Sequence, residues 1–282
     1  MKNILIPTTS NNSLTEELKV FYNTFKGLEF NTKVNFNLSA LKWATPLVML
    51  PIVAYIHSTG SSFTLSEDND DVNSYLKTVY FPKGADSTDI LKAKNYIPIS
   101  FLENTSDPLS RELVIDLFSE LIYKSVGGVK GTKTALFYPI SELATNIFEH
   151  SKRKYGFAFG QIFPKKQYLE VCIADCGRGL AGSYNQESGL DLTDAKAIKE
   201  VMEGHSTKND KERGFGIRTS KKAICEKLKG EFMLLSGNSV LISGYNTEDK
   251  IVTLPKFHWQ GVVIVYRIPS PKHPIDITDY YE

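Results

Sequence analysis

The chain has 282 residues, 41% hydrophobic and 23% charged, with a formal net charge of +1. Such proportions fit one large or two ordinary globular domains and give no global electrostatic reason to expect nucleic acid or an anionic membrane as the main partner. Three cysteines, Cys172, Cys176 and Cys225, do not make a secreted disulfide framework, and no second Cys/His pair joins the first two to form a zinc site.

The opening residues, MKNILIPTTSNN, are too briefly apolar for a signal peptide, so a cytoplasmic location with no membrane association is expected. Val34, Phe36 and Leu38 alternate with Asn35 and Asn37, the period of a strand. Thr45 and Pro46 then start a helix, as N-cap and first helical residue. The apolar run from Pro46 to Ile56 is about half a membrane span and predicts a buried helix. The acidic stretch Asp68 to Asp71 reads as a solvated loop, and residues 72–81 as a second, shorter helix. Ser100 to Pro108 has linker composition, which divides the chain into a small α/β unit, 1–104, and a larger unit, 105–282.

Beyond the boundary, helical periodicity covers 108–126 and 132–150, and strands are expected at 156–163 and 167–174. In the second strand Leu169, Val171 and Ile173 alternate with Glu170 and Cys172. Helices follow at 193–203 and 216–229, with Gly204 and Gly230 where C-terminal caps belong. Strands at 231–235, 239–243 and 261–268 close the unit. Neighbouring helices and hairpin-like strand pairs predict an α+β sandwich, not a doubly wound parallel sheet.

Four segments carry residues suited to chemistry. In ISELATNIFEHS, residues 140–151, Glu142, Asn146, Glu149 and His150 share a helix face away from the apolar stripe. The Asn amide oxygen can ligate a hard metal, and the Glu can polarise water or a hydroxyl one turn away; a solvated polar face is the plain alternative. In IADCGRGL, residues 173–180, a strand ends at Asp175, whose carboxylate can accept from an exocyclic amine. Gly177 and Gly179 allow close backbone approach, or simply make a turn. In HSTKNDKERGFGIRTSKKA, residues 205–223, a polar loop runs through Gly214, Phe215 and Gly216 into a helix. Free N–H groups at that start suit an anion, with Lys208, Lys211, Arg213 and Arg218 nearby. Finally, Gly261 precedes the apolar strand that ends at Pro269.

Taken in this order, the four segments resemble the GHKL ATP-binding domain of gyrase, MutL and the histidine kinases over about residues 108–282. Glu142-x-x-x-Asn146 resembles the N-box, Asp175 to Gly179 the first glycine box, Arg213 to Ile217 the second, and Gly261 the last motif. The resemblance implies a Bergerat-type α/β sandwich, a mixed sheet with helices on one face. It implies ATP and Mg²⁺ as ligands. Asn146 would hold the metal and Glu142 would act as general base. Asp175 would recognise adenine, with Gly177 and Gly179 shaping the base pocket, while Gly214 and Gly216 beside Phe215 cradle phosphates. Lys208 and Arg213 would neutralise phosphate charge, and residues 204–213 fall where the family keeps its ATP lid. His150 is either a support for Asn146 or a structural histidine. The last motif departs from the usual Gly-Thr, since Val262 follows Gly261.

The predicted helix 108–126 has no His, which argues against a sensor histidine kinase, and no transducer domain is expected after the last strand. Glu142 better suits ATPases or anti-sigma-type serine kinases. Residues 34–56 resemble the strand–turn–helix of STAS domains, which implies an interaction module for a regulatory protein partner. In such domains a Ser or Thr at the helix start can be phosphorylated; Thr45 holds that place here, and an N-cap is its other reading. The resemblance implies an ATP-dependent kinase or weak ATPase, or a non-catalytic ATP-sensing scaffold, with a homodimer as the expected assembly. No basic stripe with aromatics marks a nucleic-acid surface.

Overall fold

The computed structural model describes residues 1–8, 11, 13–86, 89–90, 96–103, 155–205, 216–270 and 272–276, with 115–116, 119–120, 123–124, 128–135, 137, 140–142 and 145. Of the sites expected from sequence, Asn146, His150, Lys208, Arg213, Gly214 and Phe215 lie outside these residues.

The first unit alternates strand and helix. Strand β1 (Lys2–Leu5) leads to helix α1 (Leu14–Phe25), then β2 (Val34–Asn37), α2 (Pro46–Thr59) and β3 (Ser62–Thr64). The strands form a parallel sheet in the order β1-β2-β3. Ser13 caps α1, its hydroxyl accepting from the Glu16 N–H at 3.2 Å. Leu14, Leu18, Phe21 and Phe25 of α1 are buried at helical spacing, and so is Glu17. Helix α2 is buried from Pro46 through Tyr55 on every side. A helix apolar all round must be covered all round, and two different layers do this. A short helix α3 (Asp70–Thr78) follows, capped by Asn69.

The second sheet has seven strands. Strand β4 (Tyr96–Glu103) pairs with β5 (Tyr155–Phe163), and β5 with β6 (Tyr168–Ala174). Strands β7 (Glu231–Gly237), β8 (Ser239–Gly244) and β9 (Lys250–Thr253) form the other flank, and β10 (Trp259–Pro269) inserts between β6 and β7. Among the described residues every pairing between the named strands of this sheet is antiparallel, where the family resemblance implied a mixed sheet. Short connections such as Pro164–Lys166 between β5 and β6 return the chain directly beside itself, which produces antiparallel neighbours. Residues 100–103, expected to begin a linker, are strand instead, with Ser100 and Leu102 buried.

The described helices of the second unit lie on one face of this sheet, and helices of the first unit cover the other. On the first face Phe157, Phe159, Cys172, Met233, Trp259 and Val265 share a core with α1, α2 and β2. On the second face Ala158, Val171, Ile173, Leu234, Ile264 and Tyr266 pack with α4 (Gly179–Ser188), α5 (Asp194–Glu203) and α6 (Gly216–Lys222). Ile115, Ala135 and Ile140, from the helical residues between 115 and 145, join this second core. The layers are therefore small sheet, then α1 and α2, then the large sheet, then α4, α5 and α6. Among the described residues no helix is long and apolar enough to cross a membrane.

Helix α5 starts at Thr193, whose hydroxyl accepts from Lys196 N–H at 3.3 Å, and stops at Gly204 in the left-handed conformation, as its sequence predicts. The helix expected over 216–229 is α6 followed by a π-helical turn, Ala223–Lys227. There Lys229, not Gly230, takes positive φ. Gly230 is required for another reason: a Cβ on it would sit 2.6 Å from the Arg267 carbonyl oxygen.

Candidate functional site

Strands β6 and β10 lie side by side at the centre of the large sheet, and the candidate site forms at the end where β6 finishes. Asp175 follows the last residue of β6 and is only 2% exposed. Its backbone N–H donates to the Val262 carbonyl at 2.9 Å, which continues the β6–β10 ladder by one step. Its carboxylate accepts from the Gly177 N–H at 2.7 Å through one oxygen and from the Val262 N–H at 3.2 Å through the other. Each carboxylate oxygen can accept more than one hydrogen bond. Asp175 is therefore oriented by backbone donors at fixed positions.

Glycine is needed around it for close approach. Gly261 has φ of +125°, and a Cβ there would come within 2.2 Å of the Asp175 carbonyl oxygen and 2.8 Å of its carboxylate. The pairing of β10 with β7 slips between Trp259 and Val262, so Gly261 sits in a bulge. Gly179 opens α4 at φ of +71°, and a Cβ would meet the Ser236 hydroxyl at 2.9 Å. Arg178, between the glycines, turns away to an ion pair with Glu187 and a 2.8 Å hydrogen bond to Gln186.

Two residues that no sequence motif marks complete this corner. Ser236, on β7 opposite Val262, is 1% exposed. Its hydroxyl accepts from the Leu180 N–H at 2.9 Å and donates to the Gly261 carbonyl at 3.1 Å. A hydroxyl thus stands beside the last motif despite Val262, brought by the neighbouring strand, and it ties the start of α4 to the bulge. Trp259 is the second: its indole N–H donates to the Asp175 carbonyl at 3.0 Å. The only signals in the sequence are a serine interrupting an apolar strand and a tryptophan two residues before a glycine; neither reveals a partner without the sheet register.

The other expected site residues divide. Gly177 and Gly179 meet at Asp175. Glu142 is half-exposed on the helical residues 140–142, next to Ile140 in the core shared with Leu180 of α4. Gly216 is the first residue of α6. Arg218 of α6 donates to the Glu203 carbonyl at the end of α5 at 3.2 Å, and Tyr184 of α4 donates to the His205 carbonyl. At that end His205 approaches the Glu200 carboxylate at 2.6 Å and that of Glu203 at 3.8 Å.

Five residues back along β6 is a second buried carboxylate. Glu170 faces Arg267 directly across the ladder, and the guanidinium reaches it at 2.5 Å and Glu17 of α1 at 3.0 Å. Glu170 also accepts from the Leu47 N–H at 3.3 Å, in the first turn of α2. Thr45 holds the N-cap position without a side-chain cap bond and is 1% exposed, so the cap is supplied by Glu170 and the hydroxyl is shielded from any kinase. Arg267 lies over the Tyr168 ring at 4.7 Å. Burial first, then the adjacent Glu170 charge, push the Glu17 carboxyl up to about 9. Cys172 and Cys176 are buried on the same sheet face, and burial pushes the Cys172 thiol well above its usual range.

Comparison of the chain with protein-family models, with curated proteins and with solved structures gives no match.

Proposed function

We infer that this protein binds an adenine nucleotide at Asp175 and uses it in a regulatory role, with the GHKL logic of motif order as the guide. The observation that carries the reading is the Asp175 corner. A buried carboxylate accepts from two backbone N–H groups, one of them that of Gly177, beside Gly261 and Gly179, where a Cβ would collide with Asp175 and with Ser236 respectively. A carboxylate held by backbone donors can keep acceptor capacity for an exocyclic amine. Mg²⁺ would be held by Asn146, and Glu142 would orient or activate the attacking group. Gly214 and Gly216, with Lys208 and Arg213, would meet the phosphates at the start of α6. On this reading the large unit is a Bergerat-type sandwich, the first unit is a STAS-like module for a regulatory protein partner, and the location is cytoplasmic.

The test is calorimetric titration with Mg-ATP of the full chain beside Asp175→Asn and Asn146→Ala. Micromolar binding, weakened tenfold or more by Asp175→Asn, supports the reading. Absence of binding by any adenine nucleotide overturns it.

A second reading, an ATP-sensing scaffold without catalysis, is favoured by one observation. The Ser236 hydroxyl that stands in for the usual threonine is already engaged by Leu180 and Gly261. Measured turnover decides between them: hydrolysis or phosphotransfer lost in Glu142→Ala identifies an enzyme, and binding without turnover identifies the scaffold.

A further inference from the structure

We propose that helix α1 of the first unit sets the affinity of the Asp175 site, with Trp259 as the positioning residue that links them. The inference rests on the nucleotide reading for its ligand but on separate contacts for its mechanism.

The segment that leads into β10 is fastened to α1 along its length. Tyr22 donates its hydroxyl hydrogen to the Pro255 carbonyl at 3.0 Å, and Gly27, just past α1, donates its N–H to the Lys256 carbonyl at 2.7 Å. The Phe257 ring lies 5.4 Å from Phe21 and 5.9 Å from Tyr22. Trp259 is the end of this seam. Its ring lies 5.7 Å from Phe21 and meets Phe25 edge-on at 5.2 Å. One edge of the indole is thus fixed by α1, and its N–H fixes the Asp175 carbonyl.

The consequence at Asp175 is geometric. Its peptide is held on one side by the ladder bond to Val262 and on the other by Trp259. Release of the second contact frees the residue to rotate about its ladder bond, and the carboxylate moves with it. Gly261 leaves little room there, since a Cβ on it would come within 2.2 Å of the same carbonyl oxygen. A displacement of α1, by a partner bound to the first unit, is therefore felt as a reorientation of the carboxylate that would read the base. Such a ligand or partner need only prefer one position of α1 to shift the nucleotide equilibrium.

Two variants of the full chain test this. In the first, residue 259 becomes β-(3-benzothienyl)alanine, which keeps the ring shape and loses the N–H. In the second, Phe25→Leu alters α1 at its contact with the ring. Each should weaken Mg-ATP binding by roughly three- to tenfold while the fold is kept, and the double variant should lose less than the product of the two. Hydrogen exchange supplies a readout that needs no nucleotide: the Gly177 and Val262 amides, which bond to the Asp175 carboxylate, should exchange faster in both variants. If wild type binds, Asp175→Asn weakens binding and the 259 variant matches wild type, the inference is wrong and the nucleotide reading stands. If wild type binds no nucleotide, the reading fails, and exchange decides the link alone: faster exchange at 177 and 262 supports coupling from α1 to Asp175, and unchanged exchange overturns it.

Discussion

Glu170 and Asp175 lie five residues apart along one stretch of chain, and both are almost completely buried, yet the described contacts of their carboxylates differ. Glu170 caps α2 and meets a guanidinium from the strand beside it, which it shares with Glu17. Asp175 is met by the N–H groups of Gly177 and Val262. The first arrangement commits a full opposite charge to the fold and sits where α1, α2 and the large sheet converge. At the second, two backbone N–H groups donate to the carboxylate beside glycines that allow close approach. The first carboxylate ties elements of the fold together; on the nucleotide reading proposed above, the second serves recognition. Glu170 lies near the start of β6 and Asp175 just past its end, each beside β10.

The largest expected effect breaks the first arrangement. Glu170→Ala leaves the Arg267 guanidinium short of its main partner and the α2 terminus uncapped, and should cost about 3–5 kcal/mol in urea unfolding. Next comes the pH dependence of Glu17. Its folded carboxyl is raised to about 9 from an ordinary 4.5, by burial and then by Glu170. The folded state therefore binds the proton more tightly. This contribution is fully present below the ordinary value and is lost progressively as pH rises towards 9. Melting temperature should fall across that window, and Glu17→Gln should flatten the fall. Asp175→Asn should cost less than Glu170→Ala, about 1–3 kcal/mol, because one backbone N–H then faces an amide NH₂; a loss equal to that of Glu170→Ala would erase the distinction. Ser236→Ala should be the mildest, about 1 kcal/mol in the same unfolding measurement, with the loss confined to the join between α4 and the Gly261 bulge.

The same contrast shows what a sequence can reveal. Strands β5 and β6 and helix α5 are legible because alternation, a Thr N-cap and a Gly C-cap are local signals. Asp175 with its glycines is legible for the same reason. Glu170 is not. Its place in the alternation reads as a solvent face, and only α2, lying across β6 from more than a hundred residues upstream, turns that face into interior. Helix α4 escapes notice because GLAGSYNQES has no apolar stripe. Strand β4 is hidden because it runs into a stretch whose Ser, Asn, Asp and Pro residues resemble a linker. Ser236 and Trp259 depend on cross-strand register, which no local pattern encodes.

Helix α2 has one further consequence. Its residues Pro46 to Tyr55 are covered by the small parallel sheet and α1 on one side and by the large sheet on the other. Removal of the first unit would strip one face of the large sheet, with Phe157, Phe159, Met233 and Val265 left bare. Such a surface invites association between chains. The two sequence units share one core, so the full chain should melt in one transition, and the second unit expressed without the first should be insoluble.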